Sequence, residues 1–473
     1  MTEESTSGLT PKPLFACLAA ALWLALPVGA AGLSDPFATD AATPPRPSPQ
    51  SAGRSTDVPC AREVPAAPLT AVDAVDLTLC NNPQTREVWA AARYQAAQVG
   101  VAQAAWLPNL DGRLGASRLK NEQRNYNSNS AVLTLSWLVF DSGARSATGE
   151  NARQLLAAAA ATQDSTVQSL FLSALQAFYF AQATQAAVVS TTEAERAARE
   201  GFNAAESRYQ VGVATPADRL LAQTALSQAT LNRIRAEGES RNALGALANV
   251  MGFPAGQALV LAAPPATLPN DAFTREVAAL IAEAEVRRPD LKAAEAQVRA
   301  AEAGVDLARA QGRPTISVST GPTWTEIDRV SANGGIIAVA VNLPIFSGFD
   351  TTYRVRAAEA QVDVRTAQRD RLRNQVALDV WRAYQSLTTA TQSLKTTLDL
   401  VASAEQSERV ALGRYKAGVG TVLDLLTAQS ALASARLQRI QAALDWFVFR
   451  ATLAQSVGAL DYTLLQPAAE GKP

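Results

Sequence analysis

The amino-acid sequence predicts a mixed protein of long α-helices and transmembrane β-strands. Four strands per chain are expected to join a shared β-barrel, which a long α-helical barrel continues. Three observations lead to this prediction. The sequence repeats at a constant offset of 206 residues, short segments of alternating side chains recur at the same place in both copies, and a long proline-free stretch follows each of them.

The composition excludes several classes of function. The 473-residue chain carries 42 Lys and Arg against 43 Asp and Glu, which indicates no basic surface for nucleic acid. It contains no His, so the serine, cysteine and zinc hydrolase mechanisms that depend on His are excluded. We therefore expect no enzyme, no metal and no cofactor. A carboxylate-based lyase or hydrolase on a helical bundle is the enzyme alternative, and only the aspartates at two helix turns would support it.

Residues 1–31 have the features of a secretory signal peptide. Lys12 precedes an apolar run over residues 14–26, and small residues follow the run. The run is too short to cross a bilayer as a helix, which favours a cleaved signal. Two glutamates near the start depart from the usual basic pattern, so a membrane-associated N-terminal helix is the alternative.

Residues 32–68 are rich in proline, alanine, serine and threonine. This composition predicts a flexible or polyproline-like linker with no capacity to form a core, and ordered structure is expected to begin near Leu69. In an oxidising compartment Cys60 and Cys80 could form a disulfide. The alternative is two unpaired thiols, one in the linker and one on a helix.

The remainder of the chain divides into two matching parts. The first repeat covers residues 69–252 and the second covers 289–458, with a connector over 253–288 and a C-terminal tail over 459–473. A constant offset without insertions indicates a duplicated protomer. The coinciding positions include Pro83 and Pro289, Pro108 and Pro314, Phe140 and Phe346, Arg208 and Arg414, Gly212 and Gly418, Asp218 and Asp424, Gln223 and Gln429, and Gly252 and Gly458.

Each repeat begins with a helical stretch that two short strands follow. The helices are predicted over residues 70–105 and 273–311, and the strands over 109–119, 131–140, 315–327 and 335–346. Polar loops over residues 120–130 and 328–334 are expected to join the strands of each pair.

The second strand of each pair alternates clearly. Leu133, Leu135 and Trp137 share one face, opposite Thr134 and Ser136. The matching strand places Ile337, Val339, Val341, Leu343 and Ile345 on one face. Alternation over about 10 residues is typical of outer-membrane β-strands. The alternative is a pair of ordinary half-buried hairpins.

Long helices follow the strands. Residues 144–209 and 349–414 contain no proline, and a continuous helix of that length would reach about 100 Å. Short breaks at residues 212–216 and 418–420 precede return helices, of which the second has a coiled-coil-like seam. A coiled-coil hairpin scaffold outside the membrane is the alternative.

Four strands cannot close a barrel, and open strand edges are costly in lipid because each unpaired backbone group costs several kcal/mol. The barrel must then be shared between copies. Two copies would give eight strands with a filled interior, and three would give twelve strands around a lumen. The residues predict an oligomer and leave its size open.

The break between the second pair of long helices, from Arg414 to Leu426, resembles the turn motif of the TolC-like outer-membrane factor family. Residues 208–213 through Asp218 resemble the matching first turn. The resemblance covers roughly residues 69–460. It implies a homotrimer in the outer membrane that extends into the periplasm, with a twelve-stranded barrel and a twelve-helix tunnel.

The same resemblance implies partners and cargo. A periplasmic adaptor and an inner-membrane transporter would move substrate through this passive conduit. The energy is expected to come from the transporter, because this chain has no phosphate-binding glycine loop. The resemblance implies that the transporter is ATP-driven. The resemblance extends to secretion components for cyclolysin-type, calcium-binding repeat toxins. Drug or small-molecule efflux is the alternative.

The resemblance also implies a periplasmic gate at the turns. By position, Asp218 and Tyr415 would form a latch, and Asp424 would belong to a ring of carboxylates at the constriction. Two family residues are missing, since Gly420 stands where a latch arginine is expected and Thr427 where a second ring aspartate is expected. Arg414 is one cation that could take the latch role. The alternative is that Asp218 and Asp424 only cap the return helices.

Overall fold

The computed structural model describes residues 35–54, 60, 63–65, 67–120, 125–263 and 276–465. The predicted signal peptide lies outside them. The helices are α1 (Thr39–Ala42), α2 (Ala71–Asn81), α3 (Pro83–Ala104), α4 (Ala144–Gln210), α5 (Pro216–Val250), α6 (Val277–Arg287), α7 (Pro289–Gln311), α8 (Asp350–Lys416) and α9 (Val422–Val457). The strands are β1 (Asn109–Lys120), β2 (Asn125–Phe140), β3 (Thr315–Ile327) and β4 (Val330–Asn342).

A proline divides each of the first predicted helical stretches into two helices. Asn82 and Arg288 have extended backbone, with ψ of 131° and 123°. The reason is that a proline disfavours helical geometry in the residue before it, while being well suited to the first position of the next helix. The stretches predicted as helical over residues 70–105 and 273–311 are therefore each two helices, with one extended residue between them. Helix α6 also lies inside the segment interpreted as a connector.

The four strands form one antiparallel sheet in the order β1-β2-β3-β4. Strand β2 begins at Asn125, earlier than the predicted residue 131, because it pairs with β1 along the whole of that strand. Strand β4 ends at Asn342, so the prediction of a strand to residue 346 is wrong. The predicted loop over 328–334 is also wrong, because Asp328 and Arg329 have φ of 48° and 71° and form a two-residue hairpin turn.

One face of the sheet is apolar. Paired residues of an antiparallel sheet lie on the same face, and the pairs Leu110–Leu135, Trp137–Val318 and Val318–Val339 place their side chains together. The other face is mixed: small and polar residues such as Thr134, Ser319 and Ala338 lie there beside Val132, Leu138 and Ile336. Strands β1 and β4 each pair with one neighbour within the described residues, so each has an open edge.

The four longest helices form two antiparallel hairpins, α4 with α5 and α8 with α9. Helix α4 also packs against α7 and α9, which joins the two hairpins side by side. The turns that close the hairpins therefore lie at the same end of the molecule, opposite the sheet. No described helix combines the length and apolar character needed to cross a membrane.

Many large buried side chains lie where the C-terminal parts of the return helices α5 and α9 pack against the middle of α4 and α8. Phe171 and Leu247 are fully buried there, and Trp446 is nearly so. Elsewhere along the bundle the buried positions are mostly alanine, including Ala198, Ala205 and Ala222, so neighbouring helices approach closely.

The prediction that order begins near Leu69 is wrong for residues 35–54. This segment, which we call the N-terminal strap, packs along the outside of α2 and α3. Gln163 donates a hydrogen bond to the Pro45 carbonyl over 2.8 Å, and Pro47 and Pro49 are buried. Prolines lack an N–H group, so they can be buried without leaving a donor unpaired.

The strap is tied to the helices at its C-terminal end. Arg54 forms an ion pair with Asp76 on α2, and the Tyr462 hydroxyl donates to the same carboxylate over 2.6 Å. Just beyond the strap, the structure joins Cys60 to Cys80 by a disulfide, with 5.4 Å between their Cα atoms.

Candidate functional site at the two helix turns

The site lies at the first turn, residues 211–215, and the second turn, residues 417–421. Each long helix ends with a glycine at positive φ, Gly212 at 79° and Gly418 at 81°. The following valine N–H donates back to the Arg208 or Arg414 carbonyl over 2.9 and 3.0 Å. These are the bonds of a Schellman motif, which favours glycine because side chains are strained at positive φ.

Each return helix begins with a capping box. Asp218 accepts hydrogen bonds from the Thr215 backbone N–H and hydroxyl over 3.0 and 2.8 Å, and Thr215 accepts from the Asp218 N–H. Thr421 and Asp424 repeat the backbone bonds at 3.2 and 3.1 Å. The proposed alternative for both aspartates, that they cap the helices, is therefore present in the structure.

These hydrogen bonds favour the ionised form of both aspartates. The Thr215 backbone N–H, followed by its hydroxyl, lowers the pKa of Asp218 below its usual value, and the positive charge of Arg208 adds to this. Hydrogen bonding by Thr421 lowers the pKa of Asp424 below its usual value, with a smaller contribution from the charge of Arg414. Both carboxylates are therefore ionised near neutral pH, and that of Asp424 is exposed.

Tyr415 lies in a small apolar cluster between the turns. Only 4% of its surface is exposed, and it packs with Ala205, Ala222, Val422 and Leu425. Burial raises the pKa of its phenol. Its hydroxyl oxygen is buried and has no hydrogen-bond partner among the described residues, so no Tyr415–Asp218 hydrogen bond occurs in this structure.

Arg208 connects the two turns. Its guanidinium lies 4.9 Å from the centre of the Tyr415 ring, and one N–H donates to the Tyr415 carbonyl over 2.7 Å. The sequence reasoning did not assign this residue, although Arg208 with Tyr209 matches Arg414 with Tyr415 in the repeat. The cation over the Tyr415 ring is thus Arg208, which comes from the other half of the chain.

The geometry at Gly420 bears on the missing latch arginine. A Cβ atom at this position would lie 3.1 Å from both the Arg414 Cβ and the Tyr415 backbone nitrogen. That spacing is tighter than ordinary van der Waals contact, so a side chain here would need the end of α8 to move. Thr427 lies one turn into α9 with an exposed side chain.

Ion pairs fix the hairpins to each other behind the turns. Arg436 on α9 contacts Glu193 on α4 over 2.7 Å and Glu405 on α8 over 3.1 Å. Glu195 on α4 accepts from Arg199 over 2.8 Å and pairs with Arg233 on α5. Within the described parts of the chain, no group of acidic or cysteine side chains could hold a metal ion. The site therefore offers charges and a bridging cation at the end of a helical bundle.

The comparisons with known proteins agree with this architecture. The model of the family described as outer membrane efflux protein matches the chain twice, over residues 74–253 and 280–459. Protein CyaE of Bordetella pertussis is 33% identical over 442 residues, which cover 89% of this chain and 91% of that protein.

Two further relatives extend the comparison. The toluene efflux pump outer membrane protein TtgC of Pseudomonas putida is 28% identical over 302 residues, 62% of this chain and 61% of that protein. The crystal structure of the outer membrane protein VceC from Vibrio cholerae has a TM-score of 0.73 at 20% identity. It covers 82% of this chain and 96% of that chain, which shows a shared fold.

Proposed function

Because this chain belongs to the outer membrane efflux protein family, we propose that it is one subunit of a homotrimeric outer-membrane channel that extends into the periplasm. The observation that carries the proposal is the sheet of four strands with an apolar face and two open edges. In lipid the unpaired backbone groups of those edges would cost several kcal/mol each, so each edge needs a strand from another copy.

Three copies account best for a conduit. Twelve strands leave a lumen, whereas eight would leave an interior filled by side chains. The chain itself is a duplicated protomer in this proposal, because the same order of elements begins at Ala71 and again at Val277, 206 residues later. The long hairpins of three copies would then continue the barrel as a helical tube, with the two turns at its periplasmic end.

The tube acts as a passive, gated conduit of a tripartite export system. A periplasmic adaptor and an inner-membrane transporter, driven by ATP, supply the energy. Asp218, Tyr415 and Asp424 belong to the gate, with three Asp424 carboxylates around one axis. Such a ring favours the passage or binding of cations.

The cargo we propose is a protein toxin exported by type I secretion. The resemblance of the turns to secretion components for cyclolysin-type toxins supports this cargo, together with the match to Protein CyaE along nearly the whole chain. Small-molecule efflux is the second candidate, because the relative TtgC is described as part of a toluene efflux pump.

The assembly is tested by fractionating cells that express the full chain. We expect the protein in the outer-membrane fraction, extracted only by detergent, with a detergent-corrected mass of three subunits in light scattering. A stable monomer in buffer without detergent would contradict the proposal and favour a periplasmic coiled-coil scaffold.

The cargo is tested by deleting the gene in its host. Loss of one secreted protein from the culture medium, with unchanged tolerance to toluene and to antibiotics, is the expected result. Reduced tolerance with an unchanged set of secreted proteins would favour small-molecule efflux.

A further inference from the structure

We infer that the turn site is completed by a second copy of the chain, with Arg414 of one copy binding Tyr209 of the next. This inference rests on the proposed trimer and adds to it a defined contact between copies. The two halves of one chain contact each other as neighbouring copies are expected to, because the halves are repeats of each other.

Within one chain the contact joins the end of α4 to the end of α8. The Arg208 guanidinium lies over the Tyr415 ring and donates to the Tyr415 carbonyl. In the repeat, the counterpart of Arg208 is Arg414, 206 positions later, and the counterpart of Tyr415 is Tyr209, 206 positions earlier. Both side-chain types are therefore retained.

The ends of the two long helices, which carry these arginines and tyrosines, have the same backbone hydrogen bonds. Both long helices end in the same Schellman hydrogen bonds, which fix the direction of the last helical turn. Contacts within each half recur at the same offset as well. The Asn82 amide donates to the Val250 carbonyl over 2.9 Å, and the Arg288 guanidinium donates to the Ser456 carbonyl over 3.4 Å.

The second pair is not formed within one chain. Arg414 is exposed, and 39% of the Tyr209 surface is exposed even though Arg219 lies 5.8 Å from its ring centre. Tyr415 is buried because α4 of the other half covers it. Within one chain α4 packs against α9. In a closed ring of copies their counterparts in the repeat meet in the same way, with α8 of one copy against α5 of the next. This brings Arg414 and Tyr209 together.

The sheet leads to the same arrangement independently. Leu135 of β2 pairs with Thr320 of β3. In the repeat, the counterpart of Leu135 is Val341 of β4, and the counterpart of Thr320 is Leu114 of β1. Val341 would therefore lie opposite Leu114 of the neighbouring copy, and β4 and β1 are the two strands with open edges. Strand pairing and the turn contact therefore require the same neighbour.

The result is a ring of six arginine–tyrosine contacts, three within chains and three between them. An arginine guanidinium over an aromatic ring is attracted by the negative face of the ring, and the attraction is stronger where water is excluded. Because Gly420 provides no latch cation, this ring supplies the cations that hold neighbouring turns together.

The contact is tested by cross-linking full-length protein in detergent-solubilised membranes. The variant R414C/Y209C is treated with a short bis-methanethiosulfonate reagent, because an arginine–tyrosine spacing exceeds what a disulfide bridges. The matched control is R208C/Y415C, which places the same two substitutions in the contact within one chain. Wild-type protein gives the background from the native cysteines.

Covalent dimers and trimers of R414C/Y209C in denaturing gels, with R208C/Y415C remaining a monomer, are the expected result. If R414C/Y209C gives only monomers while light scattering shows an intact trimer, the inference is wrong and the proposed channel still stands. If light scattering shows no trimer for the wild type, the proposed function fails together with it.

Discussion

At the scale of single residues, Asp424 combines two properties. It closes a capping box with Thr421, and it also keeps an exposed, ionised carboxylate at the second turn. Asp73 closes the same kind of box with Thr70 at the start of α2, far from the turns. Capping and gating can therefore be separated by comparing the two aspartates.

We predict that Asp424→Ala raises single-channel conductance and weakens block by divalent cations severalfold, because it removes three carboxylates from one axis. Asp73→Ala, which loses an equivalent cap, should leave both unchanged. Planar-bilayer recordings with added Mg²⁺ measure the effect. Equal behaviour of the two variants would remove Asp424 from the gate and leave it as a cap.

The same residue predicts a pH dependence of the block. Because hydrogen bonding by Thr421 holds the pKa of Asp424 below its usual value, the carboxylate stays charged until the pH falls below the ordinary aspartate range. Its contribution to capping, like the block, is present above that range and is lost as the pH falls through the lowered pKa. Block that disappears already near pH 6 would point to another group.

Single residues also show where sequence reasoning stops. Asp218, Tyr415 and Asp424 were located from the turn motif, and the structure places all three at neighbouring turns. The role of Arg208 was not found, because its contact with Tyr415 depends on two turns 206 residues apart lying side by side. The repeated Arg-Tyr pair was the available signal.

At the scale of elements, the long helices were predicted within two residues at each end, because glycine and proline mark their ends. The strand ends were less well predicted. The loop predicted over residues 120–130 is largely strand, because its polar residues pair with β1. The loop predicted over residues 328–334 is a tight turn at Asp328 and Arg329. The strap was missed because composition does not report what a proline-rich segment packs against.

The disulfide between Cys60 and Cys80 remains a prediction for the protein after removal of the predicted signal peptide. It would close a loop of 20 residues and hold the segment after the strap against α2. Thiol titration of the denatured mature protein should find neither cysteine free before reduction and both free afterwards.

The strands allow a sharper prediction about the membrane. Leu135 lies on the apolar face of β2, and Thr134 lies beside it on the opposite face. We predict that Leu135→Arg impairs trimer assembly in the outer membrane, because a charged side chain facing lipid costs about 2–4 kcal/mol at mid-membrane. Thr134→Arg, on the face that would line the proposed lumen, should assemble normally.

Heat-modified migration of trimers in mild detergent gels measures assembly of both variants. If Leu135→Arg assembles normally and Thr134→Arg fails, the two faces have been assigned in reverse. If both assemble normally, the sheet does not face lipid at this depth.

At the scale of the whole molecule, the family match confirms the resemblance found at the turns, and a family of channel proteins agrees with the prediction that the chain is not an enzyme. The general architecture was predictable because proline, glycine and alternation recur at one offset. The number of copies was not, because a single chain specifies its open edges but not how many of them close the ring.

The open edges nevertheless specify how neighbours meet. If β4 pairs with a neighbouring β1 as β2 pairs with β3, Val341 lies directly opposite Leu114, on the apolar face. Opposed residues in antiparallel strands have Cα atoms about 4.5–5.5 Å apart, within reach of a disulfide. We therefore predict that L114C/V341C forms disulfide-linked trimers on mild oxidation.

The control L114C/I337C keeps one cysteine and moves the other by four residues along the same face. That shift is about 13 Å at the rise of a β-strand, so no disulfide should form. Trimers from the control and monomers from L114C/V341C would mean that copies pair in a different register from the two halves of a chain. In that case the halves would not serve as the pattern for the assembly, and the barrel would close with a different stagger at its three subunit boundaries.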